Sequence, residues 1–252
     1  MIDDWFDVIR LPISMKQFLA LPTNPSYKYE YSSKRAILSP RPKLYHATLD
    51  LAARDVPAKV DAGGRVAVRL LREDDWDRLP EVFSGAFGRV QPFAALDDAR
   101  RLDAARQCLD KTRGGGDGPL IEGACFVAAN IEDDHPVAVA LTTLRPREED
   151  ERDDIDDQLI APIGPHLTWI FVAPMIARHG IGSALLAAVI RRLIEFGYDR
   201  LDSTFLLGNE SSTLWHWRSG FRLLGYGISP RRLRRMSGNA SDGPAKAPEL
   251  PG

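Results

Sequence analysis

Apolar and polar positions change rhythm along this chain, and each rhythm predicts an element. Tyr27, Tyr29 and Tyr31 alternate with polar neighbours, a period of two that predicts a strand. Ser32-Ser33 supplies a turn, Ala36-Ile37-Leu38 a return strand, and Ser39-Pro40-Arg41-Pro42 a stop, so 27–39 is expected to be a hairpin. Residues 44–54 (LYHATLDLAAR) predict a short helix, and 57–64, closing on Gly63-Gly64, a linker. A new pattern starts at Arg65, where Val66, Val68 and Leu70 alternate as a first strand. Helices are expected from Asp74 to Phe87 and over 97–112, the second stopped by Gly114-Gly115-Gly116. Strands follow at 122–131, 136–144 and 166–172, the last an apolar run rich in β-formers. Leu186, Val189, Ile190, Leu193 and Ile194 share one broad face of a helix over 182–196, and Gly197 ends it. A strand at 200–207, a short helix at 210–219 and a strand at 221–227 complete the pattern.

The order β-α-α-β-β-β-α-β-α-β predicts an α/β protein with a mixed sheet and helices on its faces. Three parts are expected: an N-terminal extension over 1–64 with its hairpin, a main domain over 65–228, and a disordered tail over 229–252, rich in Gly, Ser, Pro and Ala.

Composition narrows the class. The chain has 252 residues, 44% hydrophobic and 27% charged, with a net charge of −2, so no whole-chain basic field draws it to nucleic acid. Arg231, Arg232, Arg234 and Arg235 are a local exception in the tail, and 148–157 (EEDERDDIDD) is a strongly acidic stretch expected to be a solvated hairpin insert. Two cysteines, Cys108 and Cys125, make no disulfide framework. Met1 to Arg10 lacks the features of a signal peptide, and no apolar run approaches the roughly 20 residues that cross a bilayer. A cytoplasmic protein without membrane contact is the resulting expectation. The hairpin is a candidate surface for packing on the core or for a homodimer.

The densest chemistry lies in 166–197, HLTWIFVAPMIARHGIGSALLAAVIRRLIEFG. A strand ends at Ala173-Pro174, a short loop carries Arg178-His179-Gly180-Ile181-Gly182-Ser183, and a helix starts at once. Unpaired N–H groups and a partial positive charge at the helix start favour an anion, and the glycines let the backbone come close to it. G-x-x-x-x-G-K-[ST] and G-x-G-x-x-G are both absent, which sets aside the P-loop and the dinucleotide fingerprint.

With its flanks, this segment resembles the coenzyme A motif of the GNAT acetyltransferases. The family pattern [QR]-x-x-G-x-[GA] falls on residues 177–182, with Ala177 departing at the first position. Asn209 after the next strand, and Gly220-Phe221 after the short helix, match two further family features. The resemblance covers 65–228 and implies the GNAT fold, a mixed and mostly antiparallel sheet with helices on both faces. It implies acetyl-CoA as co-substrate, no metal, and transfer of an acetyl group to a primary amine on a small molecule or a protein. A non-catalytic acyl-CoA sensor on the same fold is the alternative.

The resemblance further implies that the backbone of Arg178, His179, Gly180, Ile181, Gly182 and Ser183 holds the pyrophosphate, with Asn209 beside the cofactor. The pantetheine arm would run along Ile170 and Val172, and an N–H near Phe171–Val172 would polarise the carbonyl. The family's proton-donating Tyr maps to His216, a candidate acid. The general base stays open among His166, Thr168, Glu122, the Glu73-Asp74-Asp75 cluster and a water relay. Simple alternation places Thr168 on the face of Ile170 and Val172.

Overall fold

In the computed structural model, residues 8–22, 27–40, 44–52, 64–90, 92–146, 163–206 and 209–226 are described. The N-terminal part holds β1 (Ile9–Leu11), α1 (Met15–Leu19), β2 (Tyr27–Ser32) and β3 (Arg35–Pro40). β2 and β3 are the expected hairpin, with β1 added on the far side of β3 to give the order β1-β3-β2. Its turn lies one residue later than the sequence suggested. Ser33 and Lys34 both take positive φ (51° and 59°), the mirror-image turn that matches strand twist.

The remaining strands are β4 (Leu44–Asp50), β5 (Val66–Leu70), β6 (Phe126–Asn130), β7 (Pro136–Pro146), β8 (Ile163–Val172), β9 (Arg200–Leu206) and β10 (Arg222–Tyr226). They form one seven-stranded sheet in the order β10-β4-β9-β8-β7-β6-β5, antiparallel throughout except between β8 and β9. The helices are α2 (Leu79–Phe87), α3 (Asp98–Arg113), α4 (Ile181–Glu195), which makes the parallel crossover from β8 to β9, and α5 (Glu210–Arg218).

Residues 44–50 correct the sequence expectation. They are a strand, not a helix, paired to β9 over its whole length and to β10 on the other side. The seven-stranded sheet therefore takes a strand from the segment expected to be an extension. Tyr45, Ala47 and Leu49 point to the main core, while Ala47, Thr48 and Leu49 are all buried, as in a central strand covered on both faces. The linker at 57–64 except Gly64, the acidic stretch at 148–157 and the tail at 229–252 lie outside the described residues.

Two cores flank the sheet. On one face α4 buries Ile181, Leu185, Val189 and Leu193 against Ala138, Ala140, Leu167, Leu201 and Phe205. Each Leu so buried contributes roughly 1.5–3 kcal/mol. On the other face α2, α3 and the short turn between them pack Phe83, Phe93, Cys108 and Leu109 against Val127, Val139, Leu141 and Phe171. α3 ends at Gly114, and the loop beyond it lies against β7: the Leu144 N–H bonds the Pro119 carbonyl at 2.8 Å. A Cβ at Gly118 (φ 97°) would overlap the Leu144 carbonyl, so this approach requires glycine.

Candidate active site

Strands β8 and β9 are paired only at His166 with Asp202 and at Leu167 with Ser203. Both strands continue, β8 to Val172 and β9 to Leu206, without further pairing between them. A gap thus opens in the middle of the sheet. Which peptide groups face it follows from strand alternation. The Ala173 N–H bonds the Val137 carbonyl of β7 at 2.8 Å, so Phe171 and Trp169 face β7 as well. The N–H and C=O groups of Ile170 and Val172 face the gap. Of the two positions proposed for carbonyl polarisation, Phe171 has its N–H directed to β7. A donor must come from Val172 or Ile170.

A bulge sits at the closed end of the gap. Leu141 is opposite Trp169 and Thr142 is opposite Leu167, which leaves Thr168 as the extra residue. Leu167 shares the α4 face with Ile170 and Val172, and Thr168 does not. Its hydroxyl instead meets Thr143 Oγ1 at 2.7 Å and His166 Nδ1 at 3.1 Å. The bulge breaks the alternation on which the expected facing of Thr168 rested. Trp169, beside it, directs Nε1–H to Thr112 Oγ1 at 2.9 Å.

Past the open end of the gap, β8 leads through Pro174 to the first turn of α4. Gly180 is the N-cap, with φ 78° and no side-chain cap, so the first N–H groups of α4 have no side-chain partner. Arg178 also has positive φ, 70°, a conformation that costs a non-glycine residue about 1–2 kcal/mol. Arg178, His179 and Ser183 are exposed, and His179 Nδ1–H donates to the Ile176 carbonyl at 3.2 Å. Ile181 has its side chain in the core, so only its N–H is available to a ligand. A Cβ at Gly182 would lie 3.3 Å from Trp215 Nε1 and 3.8 Å from Val172 Cγ2. The bare glycine lets the helix start sit close between β8 and α5. Asn209 caps α5, its Oδ1 accepting the Ser212 N–H at 3.1 Å.

His216 is buried on α5, stacked on Phe205 with ring centroids 4.2 Å apart. Nδ1–H donates to the Ser212 carbonyl at 2.8 Å, and Nε2 accepts from Ser203 Oγ–H at 2.9 Å. Burial lowers its pKa to about 4, so at neutral pH it is uncharged. Nε2 then carries no proton to give, and the acid role expected of His216 does not fit this arrangement. Of the open base candidates, His166 lies one rung before the last pair, Leu167 with Ser203, that closes the gap. Burial first, then Arg145, His46 and His216, lower its pKa to about 3. The Glu73-Asp74-Asp75 cluster is a single 3-10 turn, with Asp75 in an ion pair with Arg69 at 2.7 Å. Glu122 is exposed in another short turn.

Ser203 and Thr204 were not singled out in the sequence. The adjacent hydroxyls in the strand RLDSTFL were the available signal, since alternation sends one to each face exactly where β9 leaves β8. Among the described residues no group of three or more His, Cys, Asp or Glu could hold a metal ion.

The profile of the Acetyltransferase (GNAT) family matches residues 76–221, more than half of the 252 residues. The chain belongs to the GNAT acetyltransferase family, whose activity is acetyl-CoA-dependent acyl transfer. No curated protein matches it significantly in sequence. Among solved structures it is similar to a GCN5-related N-acetyltransferase from Sphaerobacter thermophilus, with a TM-score of 0.49 and 14% identity, over 86% of this chain and 57% of that one. This chain thus spans a little over half of the Sphaerobacter protein. It is also similar to a Trypanosoma brucei acetyltransferase (TM-score 0.39, 18% identity, 62% of this chain and 92% of that one). A third likeness is to the aminoglycoside N-acetyltransferase AAC(6')-Iy in complex with CoA (TM-score 0.39, 21% identity, 65% and 91%).

Proposed function

We propose that this protein transfers an acetyl group from acetyl-CoA to a primary amine by direct attack. The observation that carries the reading is the gap between β8 and β9, which leads directly to the uncapped glycine start of α4. The peptide groups of Ile170 and Val172 can pair with the amides of a pantetheine arm as a strand would. The N–H groups at 180–183 and the charge of Arg178 suit the pyrophosphate.

Attack of the amine on the thioester carbonyl places negative charge on oxygen, which the N–H of Ile170 or Val172 stabilises. The C–N bond forms, the C–S bond breaks, and the proton lost by the amine ends on the coenzyme thiolate. Holding both reactants in line supplies much of the rate without a strong acid. The test is calorimetric titration with acetyl-CoA, followed by thiol release with a panel of amines. Binding with thiol release supports the transferase; absence of binding refutes it.

His216 favours a second reading. The residue at the family's acid position is neutral and has Nε2 engaged by Ser203, as suits a module that holds acyl-CoA without turnover. Binding without thiol release from any amine would select it.

A further inference from the structure

A chain of hydroxyls and an imidazole crosses the sheet at the closed end of the gap, on the face opposite α4. Its direction can be worked out bond by bond. Thr143 Oγ1–H donates to the Asp117 carbonyl at 3.0 Å, because a carbonyl can only accept. Thr168 Oγ1–H therefore donates to Thr143 Oγ1 at 2.7 Å. His166 Nδ1–H then donates to Thr168 at 3.1 Å, which leaves Nε2 without a proton. Thr204 Oγ1–H accordingly donates to His166 Nε2 at 3.3 Å. Every proton in the chain points away from Thr204.

Thr204 is half-buried and is the first residue of β9 beyond its last pair with β8. With its own proton directed to His166, it presents only oxygen lone pairs at the closed end of the gap. We infer that Thr204 binds the acceptor, taking a hydrogen bond from the N–H of an uncharged amine and leaving the nitrogen lone pair to face the thioester. This rests on the transferase reading above. The acceptor class follows from what the chain cannot do. Its hydroxyls are neutral, and its imidazole has little affinity for a further proton. Arg145 of β7, His46 of β4 and His216 of α5 bear on that imidazole from its other sides. Asp202, the pairing partner of His166 on β9, is engaged by Arg200 at 2.7 Å. The chain positions an N–H but does not strip and keep an ammonium proton, so the amine arrives as free base. At neutral pH an α-amine meets this condition about two orders of magnitude more often than a lysine-type amine. The favoured acceptor is an amine of low basicity, such as an α-amino group.

The experiment measures kcat/KM between pH 6 and 10 with glycinamide and with Nα-acetyl-lysine amide, on wild type, Thr204→Val and Thr204→Ser, with acetyl-CoA affinity measured on each. The α-amine is expected to lead by about 100-fold at pH 7, with the glycinamide profile levelling near the pKa of its α-amine, about 8, and the lysine profile still rising at about pH 10. Thr204→Val is expected to raise KM for glycinamide about tenfold, with acetyl-CoA affinity unchanged and Thr204→Ser restoring the wild-type value. Profiles for both amines that break together near pH 6–7, no turnover of the α-amine, or a Val variant equal to wild type would each overturn the inference while acetyl-CoA binding still supports the coenzyme site. Loss of acetyl-CoA binding in wild type would remove the transferase reading and this inference with it.

Discussion

The two buried imidazoles at the strand junction, His166 and His216, lie on opposite faces of the sheet, and both are wired with Nδ1 donating and Nε2 accepting from a β9 hydroxyl. What surrounds them differs. On the α4 side the site is built from backbone: the peptide groups of Ile170 and Val172, and a helix start kept bare by glycine. On the opposite side it is built from side chains, and the residue that meets the gap is a threonine at the end of a hydrogen-bond chain. The first arrangement suits a ligand with an invariant shape. The second can be altered by single substitutions without disturbing the first.

The largest effect should come from filling the backbone side. Gly182→Leu pushes a side chain into Trp215 and Val172 and is expected to weaken acetyl-CoA binding by about 100-fold or more, with the fold intact by circular dichroism. Unchanged affinity would break the assignment of backbone to coenzyme.

Next in size is the response of both faces to acid. Each imidazole has its folded pKa depressed from 6.5, to about 3 for His166 and about 4 for His216, because burial disfavours the charged form. Below pH 6.5 the unfolded chain takes up protons that the folded one refuses. Stability is therefore full above pH 6.5 and falls as the pH drops toward 4, with a slope approaching about 2.7 kcal/mol per pH unit for two groups. Urea titrations at pH 7, 5.5 and 4.5 measure it, and His216→Gln should remove one proton's share.

Ser203→Ala leaves His216 Nε2 buried without a donor and is expected to cost about 1–3 kcal/mol in urea unfolding. Its effect on acetyl-CoA affinity should be small, which separates the packing of this face from its ligand contacts. The smallest effect is expected at the α5 cap. Asn209→Ala should cost about 1 kcal/mol, and a larger loss of acetyl-CoA affinity than of stability would return Asn209 to the cofactor.

The same contrast explains what could be read in the sequence. The glycines at 180 and 182 lie within one turn of the helix they open, so the backbone side is a local pattern. The helices at 97–112 and 182–196 and the strands around them follow from periodicity, since each buries one face on the sheet. The side-chain face depends on non-local partners. Thr168 changes face through a one-residue bulge that alternation does not register. Thr204 gains meaning only from His166, 38 residues earlier in the chain. Residues 44–50 mislead for the same reason: the partner strands that make LYHATLD a strand lie far downstream.

That separation bears on how the protein is made. Asp50 of β4 is registered with Arg200 of β9, 150 residues later, and the other neighbour of β4, β10, is later still. During synthesis β4 leaves the ribosome long before either strand that will flank it exists. It must wait as an unpaired apolar segment while β5 to β8 assemble. The two ladders beside it close last, and the window before closure is when a nascent chain is most open to chaperone capture and to strand exchange with a neighbouring copy.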